Sequence, residues 1–172
     1  WQLDLDEVLL MVTRRAPHKQ IEDDPGADVR LEMARLAAEG EDAVAASGLE
    51  VDRDETSYSY RTLELLVEQD PEREIFFLLG ADIAAGLASW KEPARVLELA
   101  RLGIVPRPGV GLGEVRSALE RLGAADRAEI IEMPLCGASS TTVRQRARQG
   151  RPLRHLVPDP VIRVIGERGL YQ

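Results

Sequence analysis

The chain has 172 residues, a length that suits one domain with a single hydrophobic core. Its 22 Lys and Arg face 30 Asp and Glu, and the formal net charge of -8 argues against broad nucleic-acid binding. The single cysteine, Cys136, excludes an intramolecular disulfide and fits a reducing cytoplasm. Because no apolar run is long enough to span a membrane, we expect a cytoplasmic protein.

Apolar runs predict the strands of a sheet. Residues 8–12 and 75–79 are wholly apolar, which is typical of parallel strands buried on both faces. Shorter runs predict strands at residues 102–105 and 130–131, and residues 49–51 are consistent with one more short strand.

Helical spacing of apolar residues fills the intervals between the predicted strands. The predicted helices lie near residues 29–37, 63–67, 93–100, 115–122, 140–150 and 160–168, and a short helix follows Gly80. Strands that alternate with helices imply crossover connections, so the sequence predicts an α/β fold with an open, mostly parallel sheet and helices on its faces.

Ligands of such sheets bind beyond the carboxyl ends of the strands, so the loops there are the first places to search. The loop after residue 12 carries Arg14, Arg15, His18 and Lys19 within a few positions. This cluster could receive phosphates, and it could equally be a solvated basic loop.

The loop after residue 79 combines a glycine, a carboxylate and a tryptophan. Gly80 permits close backbone approach at the strand end. Asp82 could accept hydrogen bonds from ribose hydroxyls, or it could cap the next helix. Trp90 could stack on a flat ligand ring, or it could be a core residue.

A further polar segment, at Tyr58 and Ser59, precedes the helix near residue 63. Exposed backbone amides there could bind a carboxylate or an amide. Alternatively, Ser59 caps that helix and Tyr58 packs at its start.

The loop after residue 131 carries Ser139, Ser140 and Thr141 at a helix start, with Arg144 one turn further on. Unpaired N–H groups, hydroxyls and a forked guanidinium together suit phosphate oxygens. The alternative is a well-capped surface helix.

In order and spacing these segments resemble the nicotinate-nucleotide adenylyltransferase family, within the nucleotidyltransferase superfamily of Rossmann-like folds. The resemblance extends over essentially the whole chain. The matching stretches are residues 5–8 and 16–19, Arg30 with Met33, and residues 57–63, 80–93, 107–109, 139–144 and 156–171. Ala16 stands where the family usually has a proline, and Ser59 where it more often has a threonine.

The resemblance implies an enzyme that transfers AMP from ATP to nicotinate mononucleotide, with Mg2+ bound to the ATP and no protein ligand for it identifiable. It assigns catalytic roles to His18, Lys19 and Arg144, facing the reacting phosphates. It further implies three sets of binding residues. These are Trp90, Tyr58 and Ser59 for the pyridine and its carboxylate, Gly80 and Asp82 for the adenosine ribose, and Ser139, Ser140, Thr141 and Arg144 for the ATP phosphates.

One departure from the family concerns the front of the sequence. The family begins with a strand, a Gly-Thr-Phe-Asp-Pro turn and a His-x-Gly-His segment, which are not among these 172 residues. We therefore expect a single domain over residues 1–172 that lacks its first strand and most of its first helix, a segment of about 20 to 25 residues. Two alternatives stay open: the same chemistry on nicotinamide mononucleotide, and a nucleotide-binding module without catalysis. Homo-oligomer formation also stays open.

Overall fold

The computed structural model describes residues 2–16, 23–134 and 137–172. The chain divides into two compact units, of which one, the terminal unit, comprises Trp1–Ser57 and Gly137–Gln172. The other, the middle unit, comprises Tyr58–Cys136. The prediction that residues 1–172 act as a single domain stays a prediction.

Strands and helices alternate along the described residues. In chain order they are β1 (Val8–Met11), α1 (Ala27–Ala38), β2 (Val44–Ser47), α2 (Ser59–Gln69), β3 (Phe76–Gly80), α3 (Ala81–Ala85), α4 (Pro93–Leu99), β4 (Arg101–Val105), α5 (Leu112–Arg121), β5 (Ala128–Ile130), α6 (Ser140–Arg148) and α7 (Asp159–Glu167). Short 3-10 helices lie at Leu87–Ser89 and Ala125–Arg127. None of the helices in the described part of the chain is long and apolar enough to cross a membrane.

In the terminal unit, β1 and β2 pair in parallel, with Val8 opposite Val44. Helix α1 forms the crossover between them, as a parallel pair requires. Its buried Leu31 packs with Val12 and Val51. A second apolar cluster joins α6 to α7 through Val143, Leu153, Val161 and Ile165.

In the middle unit, β3, β4 and β5 form a parallel sheet with β4 at its centre. Leu102 and Ile104 of β4 are fully buried, which is the reason for the apolar run in the sequence. They belong to a cluster with residues of α3 and α5, such as Ala84 and Val115. Helices α2 and α4 pack together through a separate cluster around Leu63, Val96 and Ala100.

The prediction of an α/β fold with parallel strands and helices between them is confirmed. Two local predictions are wrong. Residues 49–51 form a turn that is closed by the bond from the amide of Asp52 to the carbonyl of Gly48, 2.9 Å, and the second strand is Val44–Ser47 instead. Leu10 of β1 is 37% exposed and Leu78 of β3 is 39% exposed, so neither strand is buried on both faces within the described residues.

Candidate active site

The carboxyl ends of β3 and β4 lie side by side, because Gly80 is paired with Val105. Asp82 follows β3 and Arg107 follows β4, and this pairing brings the two side chains together. Asp82 Oδ1 lies 3.8 Å from Arg107 Nε, with both side chains about half exposed. This is the sheet edge at which a parallel α/β fold binds its ligands.

Gly80 is the reason that both side chains can close over the strand end. A Cβ atom on Gly80 would lie 2.5 Å from Asp82 Oδ1 and 3.1 Å from Arg107 Nε. The alternative in which Asp82 caps α3 is wrong, since Gly80 holds the cap position and α3 has no side-chain cap bond. The sequence prediction omitted Arg107 from the site, although its place just beyond a buried strand was a usable signal.

Trp90 is partly buried and packs against the core of the middle unit. Its ring meets Phe77 edge to face, with the ring centroids 5.9 Å apart and the planes at 67°. The alternative prediction, that Trp90 is a core residue, is therefore confirmed. Because the ring is only partly buried, the core contact leaves room for a second partner, and the stacking role stays a prediction.

Tyr58 and the segment after Trp90 meet at the start of α2. Lys91 Nζ lies 4.4 Å from the centroid of the Tyr58 ring, a cation–π contact. The proposed cap role of Ser59 is wrong, because Ser59 is the first helical residue and α2 has no side-chain cap bond. The Tyr58 carbonyl accepts the amides of Arg61 and Thr62, at 3.0 and 3.2 Å, so the amides of the first helical turn that precede them stay available.

In the terminal unit, α6 starts with a cap that the sequence predicted. Ser139 Oγ accepts the amide of Thr142 at 3.1 Å and lies 2.9 Å from Thr142 Oγ1. The amides of Ser140 and Thr141 precede the first intrahelical bond, which runs from Val143 to the Ser139 carbonyl at 3.0 Å. Positive partial charge and two exposed hydroxyl-bearing residues therefore coincide at this helix end.

Arg144 lies one turn into α6, and its guanidinium reaches back to Thr141 Oγ1 at 3.4 Å. Its two neighbours along the helix are held elsewhere. Arg146 donates to the Pro152 carbonyl at 2.9 and 2.7 Å, and Arg148 pairs with Asp23. Arg144 is therefore the arginine of α6 that stands at the helix start.

A cavity of about 370 Å³ adjoins this helix start within the terminal unit. Its lining is mostly apolar and comes from α1, α6 and α7, with Ser139, Arg144 and Tyr171 among the residues at its wall. Burial raises the pKa of the Tyr171 phenol, and the positive charge of Arg144 opposes that rise. Arg144 and Tyr171 therefore interact electrostatically at this part of the cavity wall.

The loop after β1 is fixed by arginine side chains. Arg30 donates to the Thr13 carbonyl at 2.7 Å and to Asp24 at 2.9 Å. Arg14 donates to the Val51 carbonyl at 3.0 Å, so its charge holds the loop in place. His18 and Lys19 lie outside the described residues, and their predicted role stays a prediction.

Over residues 2–16, 23–134 and 137–172, no group of three or more His, Cys, Asp or Glu side chains is placed to hold a metal ion.

These features define an α/β protein of the nucleotidyltransferase class, with polar groups beyond the ends of parallel strands and a capped helix start suited to phosphate. Comparison with known proteins agrees. The profile of the cytidylyltransferase-like family matches residues 2–146.

Relatives over nearly the whole chain narrow this class. The protein of Roseiflexus sp. (strain RS-1) named "Probable nicotinate-nucleotide adenylyltransferase" is 39% identical over 99% of this chain and 85% of its own length. Its namesake in Roseiflexus castenholzii is 40% identical, with the same shares covered. The chain belongs to the nicotinate-nucleotide adenylyltransferase family.

Solved structures support the fold. The nicotinic acid mononucleotide adenylyltransferase of Plasmodium falciparum, complexed with NaAD, superposes with a TM-score of 0.76 over 96% of this chain and 82% of that one. The sequence identity is 18%, so the likeness shows the fold alone.

Proposed function

We propose that the chain transfers AMP from ATP to nicotinate mononucleotide, giving nicotinate adenine dinucleotide and pyrophosphate. The observation that carries this proposal is its 39% and 40% identity, over 99% of the chain, to relatives named for this activity. A cytoplasmic location is part of this proposal and is supported by the single cysteine.

The start of α6 is proposed to bind the ATP phosphates. The amides of Ser140 and Thr141 offer donors, and the helix dipole favours an anion at this end. Arg144 adds a guanidinium that can donate two parallel hydrogen bonds to phosphate oxygens. Ser139 contributes chiefly by capping, because its Oγ already accepts the amide of Thr142.

The end of β3 is proposed to bind the adenosine ribose. Gly80 leaves room for the Asp82 side chain over the strand end, and the Asp82 carboxylate can accept hydrogen bonds from the ribose hydroxyls. Asp82 is 53% exposed, so it is open to a ligand.

The segment around Tyr58 is proposed to bind the pyridine and its carboxylate. Trp90 offers a ring face for stacking, while the amides at Ser59 and the ammonium of Lys91 favour an anion. Lys91 lies 4.4 Å from the Tyr58 ring centroid and so beside the start of α2. A cation there favours nicotinate, which carries a carboxylate, over nicotinamide, which is neutral at this position.

The reaction is a direct displacement. An oxygen of the mononucleotide phosphate forms a bond to the α-phosphorus of ATP, and the bond from that phosphorus to the bridging oxygen breaks as pyrophosphate leaves. The protein aligns two anions and stabilises the charge that spreads over the phosphate oxygens. Arg144 supplies positive charge for this, and His18 and Lys19 are proposed to do the same.

Mg2+ is proposed to enter with ATP, held mainly by phosphate oxygens, because it keeps several waters and uses few protein ligands. When bound, it neutralises part of the phosphate charge. No described residue is assigned to it.

The test is pyrophosphate release from ATP and Mg2+ with either mononucleotide. We expect faster release with nicotinate than with nicotinamide mononucleotide. Arg144→Gln should raise the KM for ATP roughly tenfold or more, because it removes charged hydrogen bonds worth about 1.5–3 kcal/mol. The control is Arg163→Gln, an exposed arginine on α7, which should leave that KM unchanged. Absence of release with both mononucleotides would contradict the proposal, and tight binding of the dinucleotide without release would favour a non-catalytic binding module.

A further inference from the structure

Arg107 and Asp82 meet at the edge of the sheet although they belong to different strand ends. Asp82 Oδ1 and Arg107 Nε are 3.8 Å apart, which makes an ion pair but exceeds the length of a hydrogen bond. The side chains are 52% and 53% exposed, so the pair alone contributes little to the stability of the fold.

The pair nevertheless lies directly over the backbone of β3. Position 80 would place a Cβ atom 2.5 Å from Asp82 Oδ1 and 3.1 Å from Arg107 Nε. Glycine is therefore the residue that lets the carboxylate and the guanidinium approach the backbone of β3. Both side chains meet over Gly80 at the strand end although their ion pair adds little stability, which suggests a role in orientation.

An exposed aspartate samples several rotamers, and fixing it in one rotamer when a ligand binds lowers the affinity. A guanidinium beside the carboxylate reduces this cost by holding one orientation in advance. It also offsets a negative charge that would otherwise repel the phosphates of a nucleotide.

We propose that Arg107 is a positioning residue for the reaction, which holds the Asp82 carboxylate in the orientation that accepts the ribose hydroxyls of ATP. This inference rests on the proposed function, since it assigns a partner to Asp82. Arg107 acts through Asp82, and its effect should therefore disappear when Asp82 is removed.

A double-mutant cycle in the intact protein tests this dependence. Asp82→Ala should raise the KM for ATP about tenfold, from the loss of hydrogen bonds to a charged group. Arg107→Ala in the native background should raise it about two- to fivefold, within the range of exposed ion pairs. In the Asp82→Ala background, Arg107→Ala should add nothing. The KM for nicotinate mononucleotide and kcat should change little in every variant.

The matched control lies at the other end of the same strand. Arg101 opens β4 and pairs with Glu129 of β5, and its side chain is 45% exposed. Arg101→Ala should leave the KM for ATP unchanged, which separates the position of Arg107 from a general loss of positive charge. Arg107→Lys should restore part of the ATP affinity, because the charge remains while the planar fork is lost.

Two results would overturn the inference. One is an equal rise of KM from Arg107→Ala in both backgrounds, which would mean that Arg107 contacts the nucleotide itself. The other is no effect of Arg107→Ala in the native background.

Calorimetric titration of the same variants with a non-hydrolysable ATP analogue measures the double-mutant cycle on nucleotide binding, without turnover. Failure of pyrophosphate release would thus count against the proposed function, while the titration would still decide the role of Arg107.

Discussion

The Trp90 ring stands edge to face against Phe77, with the centroids 5.9 Å apart. This contact anchors the tryptophan to the core of the middle unit while part of its ring stays accessible. A ring that is held by an aromatic contact keeps a fixed orientation, and a ring in a fixed orientation binds a flat ligand at little entropic cost.

Trp90→Ala should therefore have two separable effects. It should lower the free energy of unfolding by about 2 kcal/mol, less than the roughly 3–5 kcal/mol of a fully buried tryptophan. It should also raise the KM for nicotinate mononucleotide by about tenfold, in line with the loss of one stacking contact, while the KM for ATP changes little. Urea unfolding and steady-state kinetics measure the two effects.

Phe77→Leu is the matched control for Trp90→Ala, because it removes the edge contact and keeps the Trp90 ring. It should lower stability and leave the ratio of the two KM values near that of the native protein. Equal increases of both KM values in Trp90→Ala would contradict the stacking role.

The strands show how far the sequence alone predicts this fold. The apolar runs at residues 75–79 and 102–105 became β3 and β4 within one or two residues. Strand β4 lies at the centre of its sheet and buries Leu102 and Ile104, whereas β3 lies at the edge of the sheet within the described residues and leaves Leu78 39% exposed. Residues 49–51 misled the prediction, since Val51 is as apolar and as buried as a strand residue, at 2% exposure, but sits in a turn. Burial and secondary structure are separate properties, and a three-residue run does not distinguish them.

The sequence predicted the candidate-site residues that lie at a strand end or a helix start. It did not predict the contacts between residues that are far apart in the sequence. Gly80 and Ser139 were found because a strand end and a helix start have local signatures. The sequence prediction did not include Arg107 and Lys91 among the candidate-site residues, because each was singled out by a contact with a residue far away in the sequence. Those partners, Asp82 and Tyr58, meet them only through the pairing of β3 with β4 and the packing near α2.

The cap at Ser139 allows stability and phosphate binding to be separated. Ser139→Ala should cost about 1 kcal/mol of unfolding free energy, the usual effect of losing a helix cap. Ser139→Asp should keep most of that stability, because aspartate also caps, but it places a negative charge beside the proposed phosphates. We therefore expect Ser139→Asp to raise the KM for ATP well above that of Ser139→Ala. A similar KM for ATP in both variants would argue against phosphate binding at α6.

Gly80→Ala tests the close approach at the end of β3. Its Cβ would lie 2.5 Å from Asp82 Oδ1, so the carboxylate must move, and the KM for ATP should rise severalfold, by roughly the effect of an exposed charged contact. Gly111→Ala is the control, because position 111 has a φ of -74° and nothing within 4 Å of a new Cβ. Equal KM values for ATP in the two variants would show that the orientation of Asp82 is unimportant.

Glu64 gives a pH dependence of stability away from the site. Hydrogen bonds from Arg95 and then Arg61 hold the pKa of the Glu64 carboxyl below its usual value of 4.5. A carboxyl whose pKa is lower in the folded state stabilises the fold above the unfolded-state pKa, and this contribution is lost as the pH falls through the folded-state pKa. Glu64→Gln should therefore reduce stability near pH 7 and have little effect at a pH below the folded-state pKa of this carboxyl. Glu98→Gln, which removes a more exposed partner of Arg95, should change stability less at both pH values. Urea unfolding measures this, and an equal loss of stability from Glu64→Gln at both pH values would contradict the charged role.

Lys91 provides the sharpest test of substrate choice. Its ammonium lies over the Tyr58 ring, at 4.4 Å from the centroid, beside the helix start proposed to bind the carboxylate of nicotinate. Lys91→Met keeps the length and most of the packing of the side chain but removes the charge. We expect kcat/KM for nicotinate mononucleotide to fall by about five- to tenfold, the range of one partly exposed charge interaction of roughly 1 kcal/mol or slightly more. The value for nicotinamide mononucleotide should stay within about twofold, because no charge is lost opposite a neutral amide. Lys91→Arg should retain the preference, and high salt should weaken that preference because the side chain at position 91 is exposed. An equal fall for both mononucleotides in Lys91→Met would mean that Lys91 supports the fold of this segment and does not discriminate between the two substrates.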